Sequence, residues 1–403
     1  MEPISTARFR MLSHRTMSDD PGPDKRAQRA VLLIAAALTA IVLAGVLYLR
    51  AVGPASTGVP TPTAIPMMSG PYSATYDFIT PSSGWALVLD YGKLSTTLST
   101  RFWIFKTTDG ARHWKQLYQG SAEGGQTYIH FFDEQHGLAY AGISYRTVDG
   151  GAHWQSIETP GPMPYITFAS PTVGWAEDFD ALSHSQRLYM TTDGGSTWKR
   201  LPTDLPGAAV LEPIFEIQSS AFRESGEGWL GAGYVPSPIV YVTVNAGGSW
   251  QMIPIPSPGA ASSGAGYLTS ARLVPGGAVL VLVSDDSAHV LGAFLSGNRG
   301  VSWRQVAFPT AVSTSDDLVL VDATNWWLLL SGHIWTTPNG GLNWMQVAPV
   351  DLPDGWRFEG ARVLDKQHAW WSLVSSAKST NSALAMTSDG GEHWKMVNVP
   401  QPQ

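Results

Sequence analysis

The chain has 403 residues, with 25 basic and 32 acidic side chains, a formal net charge of −7 and no cysteine. The acidic balance and the lack of a basic stripe argue against nucleic acid as a partner. The lack of cysteine excludes disulfides and thiolate metal sites.

The first 70 residues predict a membrane anchor and its flanking segments. Residues 1–30 are polar and predict a disordered cytoplasmic tail. Residues 31–49 carry no charge and would span about 28 Å as one transmembrane helix. A cleaved signal peptide is the alternative, although its apolar region is usually shorter. Basic residues precede the helix, so we expect a cytoplasmic N-terminus and an extracytoplasmic remainder, joined by a Pro/Thr/Gly-rich linker over residues 50–70.

Seven copies of one short motif, here called the turn repeats, organise residues 71–403. Each begins near an Asp or Asn, continues through small residues and ends in Trp, and successive tryptophans lie 40 to 53 residues apart, a spacing typical of propeller blades. The Asp or Asn side chain can accept backbone N–H groups of a tight hairpin, and glycine supplies positive φ. We therefore interpret as structural the pairs Asp109 and Trp114, Asp149 and Trp154, Asp193 and Trp198, Asn245 and Trp250, Asn298 and Trp303, Asn339 and Trp344, and Asp389 and Trp394.

A second repeated segment, here called the Gly-Trp segment, precedes each turn repeat and begins a strand. One apolar strand lies before it, another runs into the turn repeat and a fourth follows the Trp. The sequence thus predicts an all-β, seven-bladed β-propeller of four-stranded antiparallel blades over residues 71–403, after one transmembrane helix. Because each blade has its own four strands, we expect the ring to close by packing of the first blade on the last, without strand exchange. The Gly-Trp segments are Gly84-Trp85-Ala86, Gly137-Leu138-Ala139, Gly174-Trp175-Ala176, Gly228-Trp229-Leu230, Gly277-Ala278-Val279, Asn325-Trp326-Trp327 and Ala369-Trp370-Trp371.

The titratable residues show no pattern typical of a catalytic or metal site. A carboxylate repeated in turn after turn is a turn former, and the sequence has neither a zinc-protease HExxH motif nor a G-x-S-x-G nucleophile elbow. Two polar clusters remain, each either a solvated turn, which we favour, or a metal site. We predict no catalytic residue, no metal and no cofactor. The two clusters are Asp285-Asp286 with His289, and Asp178 and Asp180 with His184.

The S/T-x-D-x-G-x-x-W turns resemble the Asp-box, or bacterial neuraminidase, repeat. Together with the upstream Gly-Trp-Ala strands, they are similar to the photosystem II assembly and stability factor family of seven-bladed propellers, over residues 71–398. The resemblance implies a role in assembly through protein binding. Sialidases of this fold carry a Phe-Arg-Ile-Pro motif that is absent here, so a catalytic sialidase is not implied. The acidic balance also differs from the basic docking surface expected of the photosystem factor.

The predicted function is that of a membrane-anchored, extracytoplasmic, non-catalytic scaffold or assembly factor for a membrane or envelope protein. The alternative is a glycan-binding or glycoside-active propeller with cell-wall glycan as its ligand. Two long connections, 201–213 and 253–266, are either binding loops or tolerated insertions. If the repeated Trp belongs to the core, Trp198→Ala should cost about 3–5 kcal/mol. Candidate glycan contacts are the tryptophans outside both repeated segments, Trp103, Trp335 and Trp356.

Overall fold

The predicted seven-bladed propeller is confirmed. Within the described residues of the computed structural model, 29 strands form seven antiparallel sheets, and each sheet contains four strands that are consecutive in the chain. The predicted tail, transmembrane helix and linker residues 50–64 lie outside the described residues. Among the residues that the structure does describe, no helix is long and apolar enough to cross a membrane. The described ranges are 65–92, 99–123, 127–160, 165–180, 185–207, 216–259, 266–314, 316–330, 333–347, 355–376 and 381–402.

Each blade runs in chain order from an inner strand beside the central channel to an outer strand, after a short strand β1 (Met67–Ser69). From the first blade to the seventh, the strands are β2 (Tyr72–Phe78), β3 (Gly84–Asp90), β4 (Ser99–Thr107) and β5 (Lys115–Glu123); β6 (Tyr128–Phe131), β7 (Gly137–Tyr140), β8 (Ser144–Thr147) and β9 (Gln155–Ser156); β10 (Tyr165–Phe168), β11 (Gly174–Asp180), β12 (Ser185–Thr191) and β13 (Lys199–Arg200); β14 (Glu216–Phe222), β15 (Gly228–Gly233), β16 (Ile239–Thr243) and β17 (Gln251–Pro254); β18 (Leu268–Leu273), β19 (Val279–Ser284), β20 (Val290–Ser296) and β21 (Arg304–Val306); β22 (Asp317–Leu320), β23 (Trp326–Leu330), β24 (His333–Thr337) and β25 (Met345–Gln346); and β26 (Trp356–Val363), β27 (Ala369–Ser375), β28 (Asn381–Thr387) and β29 (Lys395–Val397).

Aromatic stacking between neighbouring blades explains the Gly-Trp segments. In the first four blades the inner strand ends in Phe, and its cross-strand partner is the Gly of the segment, as in Phe222 opposite Gly228. A Cβ on any of these four glycines would lie 2.2–2.6 Å from the ring of that Phe, so a larger residue does not fit. In the first and third blades the next residue is a Trp that stacks on the Phe of the following blade: Trp85 on Phe131 and Trp175 on Phe222, with ring centroids 3.7 and 4.3 Å apart. The segments of the first and third blades therefore contact a Phe of their own blade and a Phe of the next.

The last three blades keep this arrangement with other side chains. The inner strands end in smaller residues there, and their cross-strand partners are larger than Gly: Leu273 pairs with Val279, Leu320 with Trp326 and Val363 with Ala369. The register places Val279, not Gly277, and Trp326, not Asn325, at the position of Gly in the first blades. The sequence-based start of the segment was therefore wrong in these two blades. The structurally equivalent position holds a large residue there instead of Gly, so it could not be recognised from the sequence.

Strand exchange contributes to closure of the ring, contrary to the expectation of packing alone. Strand β1 pairs with residues 381–383 of β28, and β29 pairs with residues 384–386 of the same edge. Because β29 has only three residues, it leaves the first three residues of β28 without a partner on that edge, and β1 pairs with them. Met68 of β1 is 1% exposed and packs between the first and last blades. The propeller therefore includes residues before 71, within the predicted linker.

Candidate functional site

The turn repeats close the hairpins on one rim of the propeller. In the second copy, the Thr147 hydroxyl donates to Asp149 Oδ1 over 2.9 Å and accepts the Gly151 N–H over 3.0 Å. Asp149 Oδ1 also accepts the His153 N–H over 2.9 Å, and Asp149 Oδ2 lies 2.6 Å from His153 Nδ1. These bonds from His153 lower the pKa of Asp149 to about 2. The other six copies repeat the bonds of the hydroxyl and of Oδ1.

The tryptophans of the turn repeats lie at the edge of the core. Six of the seven are half-buried, and Trp250 is buried. Trp198 Nε1 donates to the Glu158 carbonyl of the preceding blade over 2.9 Å. Trp114 makes the equivalent bond to the Asn398 carbonyl of the last blade over 2.8 Å. The largest fully buried tryptophans belong instead mostly to the Gly-Trp segments, so a loss of 3–5 kcal/mol is expected there rather than at Trp198.

A cleft of about 420 Å³ lies on the rim of the turn repeats between the last two blades, lined in part by Lys366, Asp389 and Glu392. Among the described residues, one group of three potential metal ligands comes together, and it is here: Asp389, Glu392 and His393, all exposed. The Asp389 carboxylate already accepts the Thr387 hydroxyl and the His393 N–H. His113 repeats the contact of His393 with the turn carboxylate, at Asp109. The arrangement is therefore explained by the turn itself.

Asp77, on the inner strand of the first blade, joins three blades. Its side chain is 3% exposed, and Oδ1 lies 2.6 Å from Arg362 Nε of the last blade. Oδ2 accepts the Phe131 N–H of the second blade over 2.6 Å and lies 3.3 Å from His130 Nδ1. Sequence reasoning missed this residue. The available signal was an acid within the otherwise uncharged inner strand of residues 72–78.

Other basic side chains also serve contacts between blades. Arg223 donates to the Val274 and Ala278 carbonyls of the next blade over 3.1 and 2.6 Å. Lys106 pairs with Glu134 of the second blade over 2.7 Å. These cations hold the ring together and are not displayed for an anionic ligand.

A second cleft opens where the first and last blades meet, and we call it the seam cleft. Its volume is about 270 Å³, and its lining includes Thr75, Tyr76, Thr127, Glu359, Arg362 and Trp370. The Tyr76 hydroxyl is buried and has no hydrogen-bond partner among the described residues. Burial, and after it the charge of Glu359, raises the pKa of Tyr76.

Glu359 is placed at the seam cleft by an irregularity in the last blade. On the inner strand β26, Phe358 pairs with Leu373 and Gly360 pairs with Ser372, so Glu359 is the extra residue of a β-bulge. Bulges change the direction of a side chain relative to a regular strand. Glu359 is exposed at the cleft.

Aromatic side chains are exposed on the second blade next to the seam cleft. Tyr128 follows the cleft residue Thr127 in the chain and pairs across the strands with Tyr140. The two are 50% and 37% exposed, and Ile143 after them is 37% exposed. We call the two tyrosines the aromatic rim. Sequence patterns do not single them out, because isolated tyrosines at strand ends are common.

The structure places the other sequence candidates as follows. Trp103 is 1% exposed, so its prediction as a glycan contact was wrong, and Trp335 and Trp356 are half-buried. Asp285 accepts the Ser287 and His289 N–H groups and so closes a turn, as favoured.

The Asp178 side chain is buried, and its Oδ2 lies 3.8 Å from Arg187 Nη1. The side chains of Asp180 and His184 are not among those described. The two long connections begin with buried apolar residues, among them Leu205 and Ile255. Residues 208–213 and 260–265 of these connections are not among those described.

The fold is similar to that of several solved structures. A structure of YCF48 bound to D1 peptide is 16% identical with a TM-score of 0.45, covering 81% of this chain and 99% of that chain. YCF48 from Cyanidioschyzon merolae is 15% identical with a TM-score of 0.49, covering 82% and 97%. The GH74 xyloglucanase from Xanthomonas campestris is 16% identical with a TM-score of 0.29, covering 75% and 54%. No protein-family model and no curated protein matches the chain. Likenesses at these values do not carry a function over to it.

Proposed function

We propose that this protein is a non-catalytic scaffold or assembly factor, anchored in a membrane by residues 31–49, whose extracytoplasmic propeller binds a membrane or envelope protein. The turn repeats are then Asp-box repeats with a purely structural role. The anchor and the orientation rest on the sequence pattern of residues 1–50.

The observation that carries the proposal is the size and setting of the seam cleft. At about 270 Å³ it is smaller than the usual 300–1,000 Å³ of small-molecule pockets and has room for one side chain. The exposed aromatic rim begins at Tyr128, the residue after the cleft residue Thr127, and aromatic residues are enriched where proteins bind each other. The most buried inner-strand carboxylate, Asp77, is held in contacts between blades. The site therefore fits a protein partner better than chemistry on a small substrate.

Crosslinking in native membranes tests the proposal. The full-length chain is crosslinked, extracted in detergent and purified, and the recovered proteins are identified by mass spectrometry. We expect a defined set of membrane or envelope proteins that is lost when Tyr128 and Tyr140 are both replaced by Ser. The matched control replaces Val244 and Leu342, exposed apolar residues of the turn repeats, by Ser. Recovery of the bait alone, or equal loss in both variants, would contradict the proposal.

A further inference from the structure

We infer that the seam cleft binds a cationic side chain, Lys or Arg, presented by the partner protein, with Glu359 and Tyr76 as the residues that recognise it. This inference rests on the proposed function and specifies the chemistry of its site.

The charges that line the cleft favour a cation. Arg362 is the basic residue of the lining, and its guanidinium lies 2.6 Å from the buried Asp77 carboxylate. Its positive charge is thus balanced within the ring. The negative charge of Glu359 has no such counterpart among the ion pairs of the described residues. The chain as a whole is acidic, with a net charge of −7, which favours a basic partner through long-range attraction.

The uncharged groups of the cleft suit the same ligand. A buried hydroxyl without a partner loses the hydrogen bonds it had in water, and this loss is recovered when a ligand supplies one. The oxygen of Tyr76 can accept a hydrogen bond from an ammonium or guanidinium group, both of which only donate. Tyr76 and Trp370 line the cleft as well, and cations are attracted to aromatic side chains. An anion would meet Glu359 instead and would be repelled.

The aromatic rim identifies a protein as the source of the cation. Tyr128 directly follows the cleft residue Thr127 and pairs with Tyr140, and the two exposed rings offer apolar surface that a free amine is too small to cover. Residues that flank a Lys or Arg of a folded partner or extended segment can bury this surface. Such a rim around a desolvated anchor residue is typical of protein interfaces.

The test repeats the membrane crosslinking with variants of the full-length chain. Glu359→Gln removes the charge at an exposed position of the seam cleft, and Tyr76→Phe removes only the hydroxyl. The matched control is Glu392→Gln, which removes the charge of an exposed acid away from the seam cleft, on the turn-repeat rim. We expect at least a five-fold lower yield of the partner with each cleft variant and an unchanged yield with the control. Melting temperatures within about 2 °C of the original protein would show that both cleft variants are folded.

A second arm separates a protein-borne cation from a free one. Arginine amide and citrulline amide, whose side chain has the same shape without the guanidinium charge, are titrated by calorimetry into the full-length chain and into the Glu359→Gln variant. We expect the original chain to bind arginine amide at least five-fold more tightly than citrulline amide, and the variant to lose this preference. Binding of arginine amide with no effect of Glu359→Gln on partner yield would mean that free cations, not the partner, occupy the cleft. Equal partner yields from all variants would overturn the inference and leave the scaffold function standing, whereas recovery of no partner would contradict the proposed function itself.

Discussion

Replacement of Gly228 by Ala tests the packing rule that joins the blades. A Cβ at this position would meet Cδ1 and Cε1 of Phe222 at 2.2 Å, whereas carbon atoms in contact lie about 3.5–4.0 Å apart. The Phe222 ring cannot withdraw, because Trp175 is stacked on its other face with ring centroids 4.3 Å apart. Overpacking of this kind costs about 1–3 kcal/mol. We therefore expect Gly228→Ala to lower the free energy of unfolding by about 2–3 kcal/mol.

A double-mutant cycle identifies the cause. Phe222→Leu alone leaves a partial cavity and should cost about 1–2 kcal/mol. With both changes the cross-strand pair becomes Leu opposite Ala, which resembles the natural pair of Leu273 opposite Val279 in the fifth blade. The added methyl group then occupies space that the ring has left, so the double variant should be at least about 1 kcal/mol more stable than the sum of the single effects predicts.

Urea unfolding of the full-length chain, followed by circular dichroism, measures all four corners of the cycle. Gly297→Ala is the matched control, because a Cβ there meets nothing within 4 Å and its φ is not positive. It should change stability by less than about 0.5 kcal/mol. Additivity of Gly228→Ala and Phe222→Leu to within about 0.5 kcal/mol would refute the packing rule.

Three further predictions concern the turn repeats and the ring closure. Trp175→Ala removes a fully buried ring and should cost about 3–5 kcal/mol, whereas the half-buried Trp198→Ala should cost less than half as much; urea unfolding that ranks them equally would contradict this. The folded pKa of Asp149, about 2, lies below its unfolded value of 3.8, so its stabilisation is present above about pH 4 and is lost as the pH falls toward 2. Asp149→Asn, which copies the amide of three natural turn repeats, should therefore flatten the loss of melting temperature between pH 4 and pH 2; an unchanged slope would show that the carboxylate does not titrate as described. Met68→Asp should release β1 and lower the melting temperature by several degrees, because it buries an unpaired charge, while Met67→Asp at a 42% exposed neighbour should not; equal melting temperatures would show that β1 does not hold the ring closed.

The fold could be predicted because the information that specifies it is repeated. Asp149, a hydroxyl two residues earlier and a Trp five residues later form a turn by local contacts, and seven copies at intervals of 40 to 53 residues leave little choice of architecture. Closure could not be predicted in the same way. The pairing of β1 with β28 depends on the length of β29, and three residues such as Met67–Ser69 are too few to show a strand pattern.

The same contrast explains why the candidate site was missed. Tyr76 and Asp77 on the first blade and Glu359 on the last each occur once, and only ring closure brings these two blades together. Sequence periodicity, which found every turn repeat, is insensitive to residues of this kind.

The repeats also indicate where function can reside in a propeller. A residue such as Asp193, present in equivalent form in every blade, stabilises its own hairpin, and its carboxylate is occupied by the Thr197 N–H and hydroxyl. Glu359 has the opposite character, because it is the extra residue of a bulge and is exposed at a cleft. Bulges disrupt the pairing of a strand and persist where they direct a side chain to a purpose. A carboxylate that departs from the repeat at the seam of the ring is therefore a stronger candidate for recognition than any of the seven repeated turns.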